Sequence, residues 1–439
     1  MKIQKFLLIG AAAAMLAGTA SAADVTINVT GSTAFRAAAV KAILDSYSSA
    51  PTVAYVSSFS GGSQQLFKGT ATAINPSGLT YIRTSWNGSS EGVQALAGSV
   101  VTKYIPITAT TSAITGTAAA GSTAASFTGG TVFDPGTNNA NLVTDTPTFA
   151  FSDVYQASTP VLSPSFTSNV VGICLFQWVA AQGAVATTLG STPQGMTTQI
   201  ANKMLAAGSI QLSQFTGNSA DNAKNVYLTG RYNGSGTRAT ELAEVGYGVF
   251  NTVVQYQPTA AVYPADPTAV AAGSTIRQLN YWPDTGTPNV GTGQVNDDSA
   301  GNGGFNGGGD LAKALESIIP STGTNVNVNG TDIDGASVGL VGVLGVADAY
   351  TASHSFSAVT LPFNGVTFSQ AAVENGQYTF WSNEQIIHGT LSAGATALVS
   401  AITSNLGNAF DFYGVNASPG LATSLMHVSR STDGGLVGP

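Results

Sequence analysis

The chain has 439 residues, a net charge of −8 and 8% charged residues, yet 43% of it is hydrophobic. That composition can fill cores and is not that of a disordered chain, while an acidic balance with no basic run excludes nucleic acid and anionic membrane surfaces as partners. The lone Cys174 excludes an internal disulfide, and within the apolar run 170–176 it reads as a small buried hydrophobe rather than a reactive thiol.

A short basic start, Met1-Lys-Ile-Gln-Lys5, precedes the apolar run 6–20 and the small-residue site Ala20-Ser-Ala22. This is the layout of a cleavable signal peptide over 1–22, with no Cys placed for a lipoprotein anchor and no later run able to span a bilayer. A periplasmic, secreted or cell-surface location is expected. About 417 residues remain, more than one core usually serves. Val25-Thr-Ile-Asn-Val29 alternates as a half-buried strand. The turn Thr30-Gly-Ser-Thr33 and a helix over 34–47 follow, the latter with Phe35, Ala39, Val40, Ile43, Leu44 and Tyr47 on one face and Lys41 and Asp45 off it. Ligands of such strand–turn–helix units bind beyond the strand's carboxyl end.

A second unit reads as a strand over 79–86, the turn Asn87-Gly-Ser-Ser90 and a helix over 91–96. The uncharged Thr/Ala/Ser/Gly tract 99–145 is predicted as an inserted hairpin or surface loop. Strands are expected at 148–151, ending in Ser152-Asp153, and at 169–180. A helix is expected over 196–215, from the spacing of Met196, Ile200, Met204, Leu205 and Ile210. A strand over 225–228 then leads into Arg231-Tyr-Asn-Gly-Ser-Gly-Thr237 and the helix-like stretch that starts at Arg238. Residues 290–310 are Gly-, Asn- and Asp-rich and read as a loop. Asp297, Asp298 and Asp310 fit no Ca²⁺-loop spacing there. A strand over 338–346 and a helix over 392–406 complete the reading.

Three hydroxyl-bearing turns therefore stand at helix starts: Gly31-Ser-Thr33, Gly88-Ser-Ser90 and Gly234-Ser-Gly-Thr237. Each is explained by helix capping alone. Taken with Arg231 and the strand-end Asp153, they also suit an oxyanion pocket, because helix N-termini leave N–H groups unpaired and carry partial positive charge. Arg36 and Arg238 lie just inside helix starts, where a cation is unfavourable unless an anion is near, so one or both are expected at the ligand or lining its cleft. The turn 57–63 is a rival for the second donor turn. No nucleophile elbow stands with a His partner, His354, His388 and His427 lack metal-ligand spacing, and Trp86, Trp178, Trp282 and Trp381 read as core.

Thr30-Gly-Ser-Thr-Ala-Phe35, Gly88-Ser-Ser-Glu-Gly-Val93, Phe151-Ser-Asp153 and, most specifically, Arg231-x-x-Gly-Ser-Gly-Thr237 make the chain resemble the phosphate-binding proteins that feed ABC importers. Leu344-Gly-Val-Ala-Asp-Ala-Tyr350 and Tyr378-Thr-Phe-Trp381 are similar to that family's return segments. The resemblance implies an α/β, two-lobed, type 2 periplasmic-binding-protein-like fold with mixed sheets, helices on both faces and β-rich or Gly-rich insertions. Lobe 1 would comprise 23–175 plus 350–439, with the insertion 99–145; lobe 2 would comprise 176–349, with the Gly-rich loop 290–310. It implies that Ser32, Thr33, the Ala34 N–H, Ser89, Ser90, Arg231, Ser235, Gly236 and Thr237 donate to inorganic phosphate or a related oxyanion. Asp153 would accept the ligand's proton and so reject sulfate. No enzyme activity, metal or cofactor is implied, and the partner would be an inner-membrane ABC permease. Two other readings stay open: a secreted or cell-surface scaffold reusing this fold, and a phosphate-ester hydrolase with Ser235 as nucleophile.

Overall fold

A computed structural model describes residues 23–59, 61–115, 128–265, 270–282, 294–295, 301–409 and 420–439. The signal-peptide reading of 1–22, and Asp297 and Asp298, lie outside the described residues.

The strands that position the site run in chain order: β1 (Val25–Gly31), β2 (Thr52–Tyr55), β3 (Gln64–Gly69), β4 (Thr80–Ser85), β5 (Phe149–Ser152), β6 (Thr167–Ala180), β7 (Asn225–Leu228), β8 (Val338–Gly345), β9 (Val359–Leu361) and β10 (Trp381–His388). With them come helices α1 (Arg36–Leu44), α2 (Ser89–Leu96), α3 (Thr198–Ala207), α4 (Gly236–Glu244), α5 (Gly308–Leu315), α6 (Val346–Ser355) and α7 (Ala393–Ala409). The expected mixed α/β class is present. A continuous path of strands runs β7-β8-β6-β10-β5-β1-β4-β3-β2, with β1 parallel to β4 and β5, and β10 antiparallel to β5 and β6.

The fourteen-residue β6 belongs to two ladders. Through Leu175, opposite Trp381, it pairs with β10; from Phe176, opposite Gly345, it pairs with β8. β9 still pairs with Trp178–Ala180, and the chain rejoins the β1 half only at β10. Buried Phe176, Trp178, Phe363, Phe380 and Trp381 pack around this crossing. Apolar runs explain the buried strands, since residues covered on both faces need no polar alternation.

Several elements differ from the sequence expectation for local reasons. The helix expected over 196–215 stops at Gly208, whose left-handed φ of 75° caps α3, and Ile210 lies in a short strand. Lys41, expected off the buried face of α1, is itself buried and paired with Asp45 at 2.7 Å, because α1 is packed against α7. In the tract 99–145, Ser112–Thr115 and Thr128–Gly129 pair antiparallel and extend the sheet beyond β2. A separate four-stranded sheet of Tyr256–Thr259, Gln278–Tyr281, Asn325–Val328 and Thr331–Asp334 gave no sequence signal. Its four-residue strands each offer at most two apolar positions, too few for a period-2 pattern to stand out.

Candidate functional site

Four helices turn their first residues toward one cavity of about 200 Å³. Thr33, Ala34 and Arg36 enter it from the start of α1, Thr237 from α4, Gly308 and Gly309 from α5, and Val346, Ala347 and Asp348 from α6, with Arg231 beside them. The starts of α1, α5 and α6 have no side-chain cap, so the first-turn N–H groups of each lack the side-chain acceptor that a helix start usually has. Two guanidiniums add whole charges to these partial ones. Arg231 is only 3% exposed; its Nε donates to the Phe305 carbonyl at 3.0 Å and its Nη2 to the Asn306 carbonyl and Thr33 Oγ1. Burial lowers its pKa, and Asp153, Asp348 and Asp310 act against that shift. Arg36, half-buried, donates to the Gly62 carbonyl at 3.4 Å, and its pKa is likewise lowered by burial and raised by Asp348. The cavity is thus a small, cationic, donor-rich space suited to a compact oxyanion.

Of the residues expected at an oxyanion, the structure brings together Thr33, Ala34, Arg36, Arg231 and Thr237. Ser32, Ser89, Ser90, Asp153, Ser235, Gly236 and Arg238 do not line it, and the cause is visible in the packing. The turn before α2 lies directly on the turn before α4. The Glu91 N–H donates to the Gly234 carbonyl at 3.3 Å, and the Tyr232 hydroxyl donates to the Asn87 carbonyl and the Glu91 carboxylate. Gly88, with φ 110°, has space only for a hydrogen: a Cβ there would lie 2.8 Å from the Gly234 oxygen. Ser235 is fully buried and caps α4 by accepting from the Arg238 N–H, so its hydroxyl is not presented as a nucleophile.

The position at the start of α4 where an anion was expected is filled by the protein's own Asp153. A Cβ on Gly236 would overlap the Asp153 carboxylate, which therefore sits against the first turn of α4. The Ser89 hydroxyl accepts from the Asp153 N–H at 3.2 Å and hydrogen-bonds its carboxylate, while Oδ1 has no partner. Burial pushes Asp153 up to about 6, with Ser89 and Arg231 pulling the other way. Beneath it Glu384, fully buried, accepts from Cys174 Sγ at 3.1 Å and is hydrogen-bonded by Ser32; burial and then Asp153 hold its pKa far above the usual carboxylate range. Ser32 and Asp153 are thus tied into a buried acidic layer behind the cavity.

Sequence reasoning missed Asp348, Gly308 and Gly309. The signal for Asp348 was present, since it stands in the first turn after an apolar strand, as Thr33 and Thr237 do. Burial raises the Asp348 pKa, while Arg36 and Arg231 lower it. Arg238 holds backbone instead: it donates to the Arg231 carbonyl at 3.3 Å and to the Gly301 carbonyl at 2.6 Å. Among the described residues no group of three His, Cys, Asp or Glu is arranged to hold a metal, and no helix is long and apolar enough to cross a membrane.

No family model and no curated protein matches the chain. Among solved structures it is similar to an ABC-type phosphate transport receptor from Vibrio cholerae, at 10% identity and a TM-score of 0.40, covering 89% of this chain and 98% of that one. It is also similar to PstS from Borrelia burgdorferi, at 11% identity and a TM-score of 0.34, covering 87% and 97%. Likenesses this distant carry neither ligand nor role across.

Proposed function

We propose that the protein is an exported solute-binding protein, of the phosphate-binding type that the sequence resembles, and that it holds a compact oxyanion, inorganic phosphate foremost, between two lobes meeting at β6. The observation that carries this reading is the pairing of Arg36 and Arg231 across a cavity into which three helix starts without side-chain caps open. Thr33 and Thr237 supply hydroxyls, and Arg231 stays aligned through its bonds to Phe305 and Asn306.

Asp348 takes the part that the sequence reading gave to Asp153. A carboxylate facing an oxyanion needs one proton between them. Protonated phosphate brings that proton at neutral pH and sulfate does not, so Asp348 selects for phosphate. The signal-peptide layout of residues 1–22 and this class of ligand support delivery to an ABC permease.

Titration calorimetry tests the reading. The protein should bind phosphate at roughly micromolar Kd or tighter, about −8 kcal/mol. Arg36→Gln should weaken it by about ten- to a hundredfold, the loss of one hydrogen bond to a charged group. No heat at roughly millimolar phosphate, near −4 kcal/mol, would overturn it.

A further inference from the structure

Beside the separate four-stranded sheet lies a pocket of about 450 Å³ that shares no residue with the first cavity. Its size is within the range of small-molecule sites, roughly 300–1,000 Å³. Arg277, Thr324, Asn325, Asp332, Val262 and Tyr263 are among its lining residues. The Arg277 N–H donates to the Thr259 carbonyl at 2.8 Å, and its carbonyl accepts from the Asn327 N–H at 2.9 Å, so its backbone is fixed between two strands. The loop that carries Val262 and Tyr263 is held by Gln278, whose Nε2 donates to the Ala261 and Ala265 carbonyls at 2.8 and 3.0 Å.

Arg277 differs from the other arginines of the chain. Arg36, Arg231 and Arg238 donate to backbone carbonyls, while Arg83 and Arg430 pair with Asp145 and Glu244. The Arg277 Nε is buried with no hydrogen-bond partner, and no ion pair among the described residues includes its guanidinium. A buried donor left unpaired is costly, and a guanidinium fork matches a carboxylate bidentately. Asp332 makes no such demand for a counter-charge. It is exposed, so solvent screens it, and its Oδ1 accepts from Asn327 Nδ2 at 2.8 Å. Asp332 can accept from a hydroxyl, and Thr324 and Asn325 both donate and accept. Val262, 61% exposed, and Tyr263, 52% exposed, add an apolar face with a polar tip.

We propose that this pocket is a ligand site separate from the first cavity, for a sugar acid. The carboxylate would lie on Arg277, the ring hydroxyls on Asp332, Asn325 and Thr324, and the C–H face of the ring against Tyr263. The assignment stands independently of the phosphate reading.

Calorimetric titration of the purified protein with sodium D-glucuronate tests it, beside D-glucose, which lacks the carboxylate, and sodium acetate, which lacks the ring. Glucuronate should bind with one-to-one stoichiometry, at least roughly tenfold more tightly than either, and saturating phosphate should not displace it. Arg277→Gln should weaken it by about ten- to a hundredfold, as a lost hydrogen bond to a charged group does, with far-UV circular dichroism unchanged. Tyr263→Ser, at an exposed position, should weaken it by roughly two- to tenfold. The proposal is overturned if glucuronate gives no heat, or if glucose or acetate binds as tightly. It is overturned too if Arg277→Gln (or Tyr263→Ser, should the first not fold) binds as the parent does, or if Arg36→Gln abolishes binding and so places glucuronate in the first cavity.

Discussion

Asp153→Asn isolates the electrostatic consequence of placing a carboxylate against Gly236. In the folded chain the Asp153 pKa rises from 3.8 to about 6, chiefly through burial. The folded state therefore holds this proton more tightly than the unfolded chain. The group's contribution to stability is complete below pH 3.8 and is lost as pH rises through about 6. Above that, the protein carries an ionised carboxylate with one oxygen unpartnered. A shift of roughly two units corresponds to ~3 kcal/mol at about 1.4 kcal/mol per unit. The favourable interaction of the charge with the start of α4, about 0.3–1 kcal/mol, is lost in the amide and reduces the gain. Asp153→Asn should thus be about 2 kcal/mol more stable than the parent at pH 8, the difference vanishing near pH 4. Urea unfolding can be followed by the fluorescence of Trp86, Trp178, Trp282 and Trp381, all at most 9% exposed, at several pH values between 4 and 8. A variant less stable than the parent at pH 8, or a difference independent of pH, would refute the reasoning.

Gly236→Ala drives a methyl into the Asp153 carboxylate and should cost about 1–3 kcal/mol of overpacking, measured by the same unfolding. Arg430 and Glu244 form a buried pair at 2.8 Å, their side chains 1% and 7% exposed. Arg430→Met leaves the buried Glu244 without its cation, with only the Thr379 hydroxyl on its carboxylate, and should cost about 3–5 kcal/mol at pH 8. The loss should shrink toward pH 5, because burial already raises the Glu244 pKa and removing Arg430 lets it take up a proton. Asp348→Asn should narrow the preference for phosphate over sulfate in competition titrations. In the parent that preference should itself fall as pH falls, since burial raises the Asp348 pKa and a protonated Asp348 can donate to sulfate.

Much of the fold was legible because its strands are apolar runs ended by turns: β7 lies where the sequence placed it, and β1, β4 and β8 within a residue or two. The polar sheet that pairs Gln278 with Asn327 was not, since strands of four residues with one or two apolar side chains look like loop. At the site, spacing identified which residues begin helices but not what each helix start faces. Thr33, Arg231 and Thr237 reach the cavity; Ser235 and Ser89 stand equally at helix starts, and packing between Gly88 and Gly234 turns them inward. Asp153 illustrates the general difficulty. A strand-end carboxylate beside a helix start reads alike whether it meets a ligand or replaces one.

The long strand β6 also bears on how such a chain could be rebuilt. Because one uninterrupted segment is stitched to β10 up to Leu175 and to β8 from Phe176, neither half has a seam at which it could be excised and grafted onto another scaffold. A chimera joined at that point would inherit two truncated ladders, each with a raw edge open to pairing with other chains. Novelty is more readily added beyond β2, where Ser112–Thr115 and Thr128–Gly129 already form a terminal margin that can lengthen without disturbing what lies inside.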